Sequence, residues 1–149
     1  CLNAPYTSSV VLLFDAIASF ADILHTQSYE GETGLLIEQN YDSSINEYYS
    51  YKITNEQIDL SSMITEIILD LDKKLICSKF INTMVQIILD LADTYENLPV
   101  VLSGGVLQNK ILLRILIGKF QKQGREFYFN IDIPANDGGL SIGQIYHKI

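Results

Sequence analysis

The sequence is poor in cysteine, in basic residues and in long apolar runs, and each shortage excludes something. Its two cysteines, Cys1 and Cys77, lie far apart and in no CxxC spacing, so the chain spells neither a disulfide framework nor a zinc ribbon. Ten lysines and arginines stand against eighteen acids, for a net charge of -8 and a pI near 4.5. No basic face is advertised for nucleic acid or for an anionic bilayer. The uninterrupted apolar runs, such as Val10 to Phe14, fall far short of the roughly 20 residues that span a membrane, and no signal-peptide pattern opens the chain. His25 and His147 stand alone, without the HxxxH or HExxH spacing of a zinc site. The expectation is a soluble protein of a reducing cytoplasm, in contact with neither nucleic acid nor membrane. The chain opens with Cys rather than Met and its first residues read as the middle of a domain, so a longer parent is expected.

What is present is core-forming sequence in alternating elements. With 48% hydrophobic residues in 149, the chain can bury one core, or form half of a larger domain. Thr7-Ser8-Ser9 offers hydroxyls for an N-cap, and Val10 to Leu24 follows as an apolar helix with Asp15 inside it. Gly31 to Tyr41 reads as a shorter helix, and the alternating, aromatic Tyr48 to Ile53 as a strand. Ile64, Ile67, Ile68, Leu71 and Leu75 recur at helical spacing behind Ser61-Ser62, and Phe80, Met84, Ile88 and Leu91 do the same in a helix ending near Asn97. Pro99 interrupts. Val100 to Leu102 has the short, β-branched pattern of a buried strand. A helix from Gln108 to Gln123 stops at Gly124, Glu126 to Asn130 reads as a strand, Pro134 to Gly139 as a turn, and Leu140 to Ile149 as a closing helix. Strand, helix, strand, helix implies an α/β layer with a parallel or mixed sheet.

Three features can carry chemistry. Ser103-Gly104-Gly105 ends a strand and opens a helix, so successive amides and a helix N-terminus point to one place, where an anion gains hydrogen bonds and a dipole. The same glycines also serve a plain tight turn. Neither GxGxxG nor GxxxxGK[ST] is present, which removes the two common dinucleotide and triphosphate loops. Asn136-Asp137-Gly138-Gly139 is ordinary turn chemistry, raised in interest by a carboxylate at the start of a helix. Asp15 lies within Leu12-Leu13-Phe14-Asp15-Ala16-Ile17-Ala18 and must be exposed, paired or part of a site, because an isolated buried carboxylate is costly. Glu30, beside Gly31, is read as a solvated loop acid.

Taken in order, Thr7-Ser8-Ser9, Leu13-Phe14-Asp15-Ala16, Tyr29-Glu30-Gly31-Glu32, Val101-Leu102-Ser103-Gly104-Gly105-Val106, Gln108-Asn109, and Pro134 with Asn136-Asp137-Gly138-Gly139 and Ile142-Gly143-Gln144 closely resemble the C-terminal end of the HypF carbamoyltransferases of nickel-iron hydrogenase maturation. The resemblance covers nearly the whole chain. It implies that residues 1–149 are the second half of a Kae1-like domain of the actin, hexokinase and Hsp70 (ASKHA) superfamily, an α/β fold with a mixed sheet flanked by helices. In that family the domain receives carbamoyl-adenylate, made elsewhere from carbamoyl phosphate and ATP, and passes the carbamoyl group to the C-terminal cysteine of HypE. The resemblance further implies ATP, Mg2+ and an active-site iron or zinc in the full-length protein. Asp137 would ligate that metal, Asp15 would face the nucleotide ribose, Asn109 would contact the nucleotide, and Ser103, Gly104 and Gly105 would hold its phosphate. A chain of this extent alone is expected to be inactive, and to form a homodimer through apolar surface that its other half would cover.

The chain departs from the family at Val11-Leu12, where Gly-Arg is usual, and at Ile81, where a histidine usually follows Phe80. The family's metal-binding histidines lie upstream of Cys1. Two other readings share the fold. One is a threonylcarbamoyl transferase acting on tRNA, against which stand the acidic charge and Tyr29-Glu30-Gly31 in place of Tyr-Pro-Gly-Gly. The other is an interaction module that keeps the architecture without catalysis.

Overall fold

The computed structural model describes residues 7–147 apart from residue 56; Cys1 lies outside the described residues. Helix α1, Val10–Phe20, follows Ser9 in extended conformation, but no side-chain hydroxyl caps it; Thr7 Oγ1 instead accepts from the Ser9 amide at 3.1 Å. It stops at Phe20 rather than Leu24. Asp22 takes a left-handed φ of 51°, and the Ile23 and Asp22 amides return to the Ala18 and Ser19 carbonyls, the bond pair that closes a helix with a left-handed residue. His25 bridges Ser19 Oγ at 3.0 Å and Asp22 Oδ1 at 3.1 Å across this turn.

Helix α2 spans Glu32–Gln39. The expected strand at Tyr48 to Ile53 is mostly irregular, because Tyr49 and Tyr51 are pinned individually by distant partners, Tyr51 through its hydroxyl to Asp90 Oδ2 at 2.5 Å. The Tyr49 amide donates to Thr83 Oγ1 at 2.8 Å and its hydroxyl to Asp70 Oδ2 at 2.8 Å, with Lys79 Nζ on the same carboxylate oxygen at 2.9 Å. Strand β1, Lys52–Thr54, pairs antiparallel with β2, Gln57–Asp59. Helix α3, Ser61–Leu69, ends before Leu71 and Leu75, since Asp70 turns extended to meet Tyr49 and Lys79. Asp72 then caps α4, Lys73–Thr94, by accepting from the Leu75 amide at 2.8 Å.

Helix α4 is the axis of the core. Ile76, Cys77, Phe80, Ile81, Met84 and Val85 are all buried along it, and Phe80 meets Phe14 of α1 edge-on with ring centres 4.8 Å apart. The helix has 22 residues and is long and apolar enough to cross a bilayer, its most apolar 18-residue stretch having mean hydropathy 1.5, but 56% of that stretch is buried inside the protein. Packing within this fold is reason enough for its apolarity. One arginine closes its end: Arg125 donates from Nη2 to the carbonyls of Ala92 and Leu98 at 3.0 and 2.8 Å and to that of Tyr95, and from Nη1 to Glu96 O at 2.6 Å.

Strand β3, Val100–Leu102, pairs parallel with β4, Phe127–Phe129, and α5, Lys110–Gln123, crosses between them. Leu102 is buried but Val101, opposite Tyr128, is 69% exposed, so only one face of this expected buried strand is covered. Phe127 stacks on Phe120 of α5 at 5.8 Å, and Gly124 ends α5 at φ 66°. Helix α6 spans Leu140–Tyr146 with no buried residue. The fold is α/β, with small sheets flanked by helices. Among the described residues the antiparallel and parallel pairings belong to two separate two-stranded sheets.

Candidate functional site

Segments from Val11 at one end of the sequence to Asp137 near the other meet at one cleft of about 560 Å³. One wall comes from α1 and α2. Gly31 takes φ 87° at the head of α2, a turn that glycine adopts without strain, and brings Tyr29 and Glu30 to the rim. Thr33, the second residue of α2, lines the cleft and donates from Oγ1 to Asp15 Oδ1 at 2.6 Å. Asp15 is therefore half-buried and paired, which answers how α1 tolerates an acid. It is not itself on the cleft wall and reaches the cleft through Thr33.

The opposite wall follows β3. Gly104 has φ 107° and ψ 159°, a backbone region open essentially to glycine, and its amide donates to Ala135 O at 2.9 Å. That bond fastens the β3 end to the 134–139 segment. It also departs from the sequence expectation, because the Gly104 amide serves the fold and is not open to a phosphate. Gly105 begins a short 3-10 turn, Gly105–Gln108, and lines the cleft with Val106. The first amides of such a turn have no acceptor within it. A Cβ added to Gly105 would meet nothing within 4 Å, so this glycine leaves space open on the cleft side. Ser103 and Gly104 are exposed just outside the lining.

Asn109 lines the cleft at 7% exposure. Its Oδ1 caps α5 by accepting from the Leu112 amide at 2.9 Å, and its Nδ2 donates to Gly34 O at 3.3 Å. These structural bonds were not evident in the sequence. Next to it the Lys110 amide donates to Glu38 Oε2 at 2.8 Å, placing a carboxylate at the N-terminus of α5, where the helix dipole favours negative charge. Asp137 completes the cleft at the first position of a second 3-10 turn, Asp137–Gly139, capped by Asn136 Oδ1 accepting from the Gly138 amide at 3.1 Å. Gly139 cannot carry a side chain here, since a Cβ would strike the Pro134 carbonyl oxygen.

Gly105, Asn109 and Asp137 thus share one cleft, Asp15 lies one hydrogen bond behind it, and Ser103 and Gly104 flank it. Thr33, Glu38 and Lys110 belong to the lining without having been singled out in the sequence; their contacts join residues 18 and 72 positions apart, which no local pattern announces. Among the described residues no three His, Cys, Asp or Glu side chains cluster as a metal site. Asp137 offers a single carboxylate, too few donors to hold iron or zinc by itself. Cys77 is buried among apolar side chains, and that burial, with the Asp72 charge adding to it, pushes its thiol up to about 12. It is not a nucleophile at neutral pH.

Residues 1–144 match the family described as carbamoyltransferase, Kae1-like domain, second subdomain. The chain belongs to the HypF carbamoyltransferase family. It is 32% identical over 99% of its length to carbamoyltransferase HypF of Synechocystis sp. and 28% identical over 96% to that of Rhizobium leguminosarum bv. viciae. It spans about 20% of the length of these relatives. Its fold superposes on a crystal structure of full-length HypF in the phosphate- and nucleotide-bound form with a TM-score of 0.90, 37% identity, and coverage of 99% of this chain and 25% of that one. T. kodakarensis HypF shares the fold at a TM-score of 0.73 and 22% identity, over 99% of this chain and 21% of that one.

Within this chain the positions that depart from the family pattern take distinct places. Val11 stands on the cleft wall, 42% exposed, and Leu12 is 49% exposed beside it. Ile81 is fully buried in the α4 core, so packing governs that position here.

Proposed function

We propose that this chain forms the nucleotide-facing wall of the Kae1-like domain of a cytoplasmic HypF, which transfers a carbamoyl group from carbamoyl-adenylate to the C-terminal cysteine of HypE. The observation that carries the proposal is the meeting of the Tyr29-Glu30-Gly31 turn, Gly105, Asn109 and Asp137 on one cleft, in a fold similar to a HypF described as phosphate- and nucleotide-bound. The open amides at Gly105 and Val106 hold the adenylate phosphoryl group. Thr33, held from behind by Asp15, faces the ribose, and Asn109 fixes the start of α5 against α2 beside the nucleotide.

In the transfer, the acceptor thiolate attacks the carbamoyl carbon, a carbon–sulfur bond forms, the bond from that carbon to the phosphoryl oxygen breaks, and AMP leaves with the electron pair. The thiol proton goes to solvent. Cys77 is too deeply buried to be the acceptor, consistent with a cysteine brought by a partner. Mg2+ would accompany the ATP used to make the adenylate. An active-site iron or zinc would polarise the carbamoyl oxygen, with Asp137 as one ligand and the rest from outside the described residues.

The test is carbamoyl transfer to HypE by the full-length protein, with carbamoyl phosphate and ATP supplied, for wild type, Gly105→Val and Asp137→Asn. Both variants should melt as wild type does and lose transfer by at least about a hundredfold, the scale of removing a transition-state contact. Wild-type transfer in Gly105→Val would overturn the cleft assignment, and absence of nucleotide binding in the wild type would favour an interaction module.

A further inference from the structure

The cleft wall is acidic. Glu30, Glu38 and Asp137 stand against the one ammonium of Lys110, an unusual setting for the polyanionic tail of a nucleoside triphosphate. The phosphoryl position at Gly105 and the N-terminus of α5 belong to the same cleft and are joined by one short 3-10 turn, Gly105–Gln108. A phosphate chain extending from Gly105 along this wall meets the head of α5, which is where helix amides and dipole would attract its second phosphoryl group. That place is taken. Glu38 reaches over from α2 and accepts from the Lys110 amide at 2.8 Å, while Asn109 Oδ1 accepts from the Leu112 amide.

We propose that Glu38 is a selectivity residue of this cleft: its carboxylate, fixed on the α5 N-terminus, excludes a second phosphoryl group and makes the cleft specific for nucleosides with a single phosphoryl. The inference rests on the nucleotide reading given above and deepens it. A carboxylate cap differs from the commoner Ser, Thr or Asn cap in carrying a full negative charge, and α5 already has an Asn cap on Leu112. Glu38 therefore adds charge at a helix end that was capped without it. An acyl-adenylate, with one phosphoryl, leaves that carboxylate undisturbed, whereas ADP and ATP bring further negative charge toward a fixed anion. The device would keep the ATP that feeds the first reaction from competing for the second site.

The test is calorimetric titration of AMP and ADP into the full-length protein, comparing wild type, Glu38→Gln, Glu38→Ala and Gly105→Val. Gln keeps an oxygen for the Lys110 amide and removes only the charge, so it serves where Ala weakens the fold. Wild type should bind AMP more tightly than ADP at the sites that Gly105→Val abolishes, and Glu38→Gln should reduce that preference by about tenfold, mainly by tightening ADP. An unchanged AMP-to-ADP ratio in Glu38→Gln, with AMP binding still lost in Gly105→Val, would overturn the role of Glu38 alone. AMP binding that survives Gly105→Val would overturn the cleft assignment itself, and this inference with it.

Discussion

Thr33 Oγ1 donates to Asp15 Oδ1 across 2.6 Å, so the single acid of the apolar helix α1 is held by the hydroxyl of a residue that is only 3% exposed. The bond couples two helices at the edge of the cleft. Thr33→Val preserves shape and deletes the donor, leaving a half-buried carboxylate without this partner. It should destabilise the protein by about 1–3 kcal/mol, seen as a lowered melting temperature, while Thr33→Ser should restore most of the loss.

The adjacent glycines of the β3 turn should behave in opposite ways. Gly104→Ala places a side chain at φ 107°, which costs about 1–3 kcal/mol of strain and should show as reduced stability. Gly105→Ala meets open space and should melt like wild type while binding AMP more weakly. Equal loss of stability in both would contradict this division.

Asp70 predicts an acid-sensitive tether. Burial alone would raise its carboxyl, but the Lys79 ammonium and the Tyr49 hydroxyl outweigh that and hold it below the usual carboxylate range. A carboxyl with a depressed folded-state value contributes stability above its unfolded value of about 4, and that contribution is lost as pH falls through the lower, folded value. Asp70→Asn should therefore be less stable than wild type at pH 7, by about 1.5–3 kcal/mol, with the gap closing toward pH 2 in denaturation curves measured across the range.

Arg125 offers a structural test far from the cleft. Its guanidinium serves four carbonyls at the end of α4, a fork that a lysine ammonium cannot reproduce. Arg125→Lys should lower stability by about 1–3 kcal/mol and leave nucleotide affinity within twofold. A change in affinity without a change in melting would sink this purely structural assignment.

The helices were legible where one periodicity governs a long stretch: α5 and its Gly124 stop follow from the pattern, and the strand at Val100–Leu102 falls where its β-branched run predicts. The local signal failed where a distant partner decided the backbone. Asp70 leaves the helix to meet Tyr49 and Lys79, and so splits a pattern that reads continuously through Leu75. The tyrosines at 48 to 51 alternate like a strand, but Tyr49 is claimed by Thr83 of α4 and by Asp70, and Tyr51 by Asp90 of α4. In the cleft, Gly105 and Asp137 could be named because each sits at a turn with its own local signature, whereas Asn109 is named through the family resemblance alone. Thr33, Glu38 and Lys110 could not, since only the folded chain brings α2 against the head of α5.

Backbone amides around the cleft have acceptors: Gly104 on Ala135 and Lys110 on Glu38, which tie separate segments together, and Leu112 on Asn109 within the head of α5. Between them, Gly105 and Val106 begin a turn where no acceptor within the turn is available. In solvent deuterium the first group should exchange only when the lacing opens, and the second should exchange promptly. The boundary of the proposed phosphate seat is thus expected as a step in exchange rate between residues 104 and 105, and a bound adenylate should erase that step by slowing the amides of Gly105 and Val106.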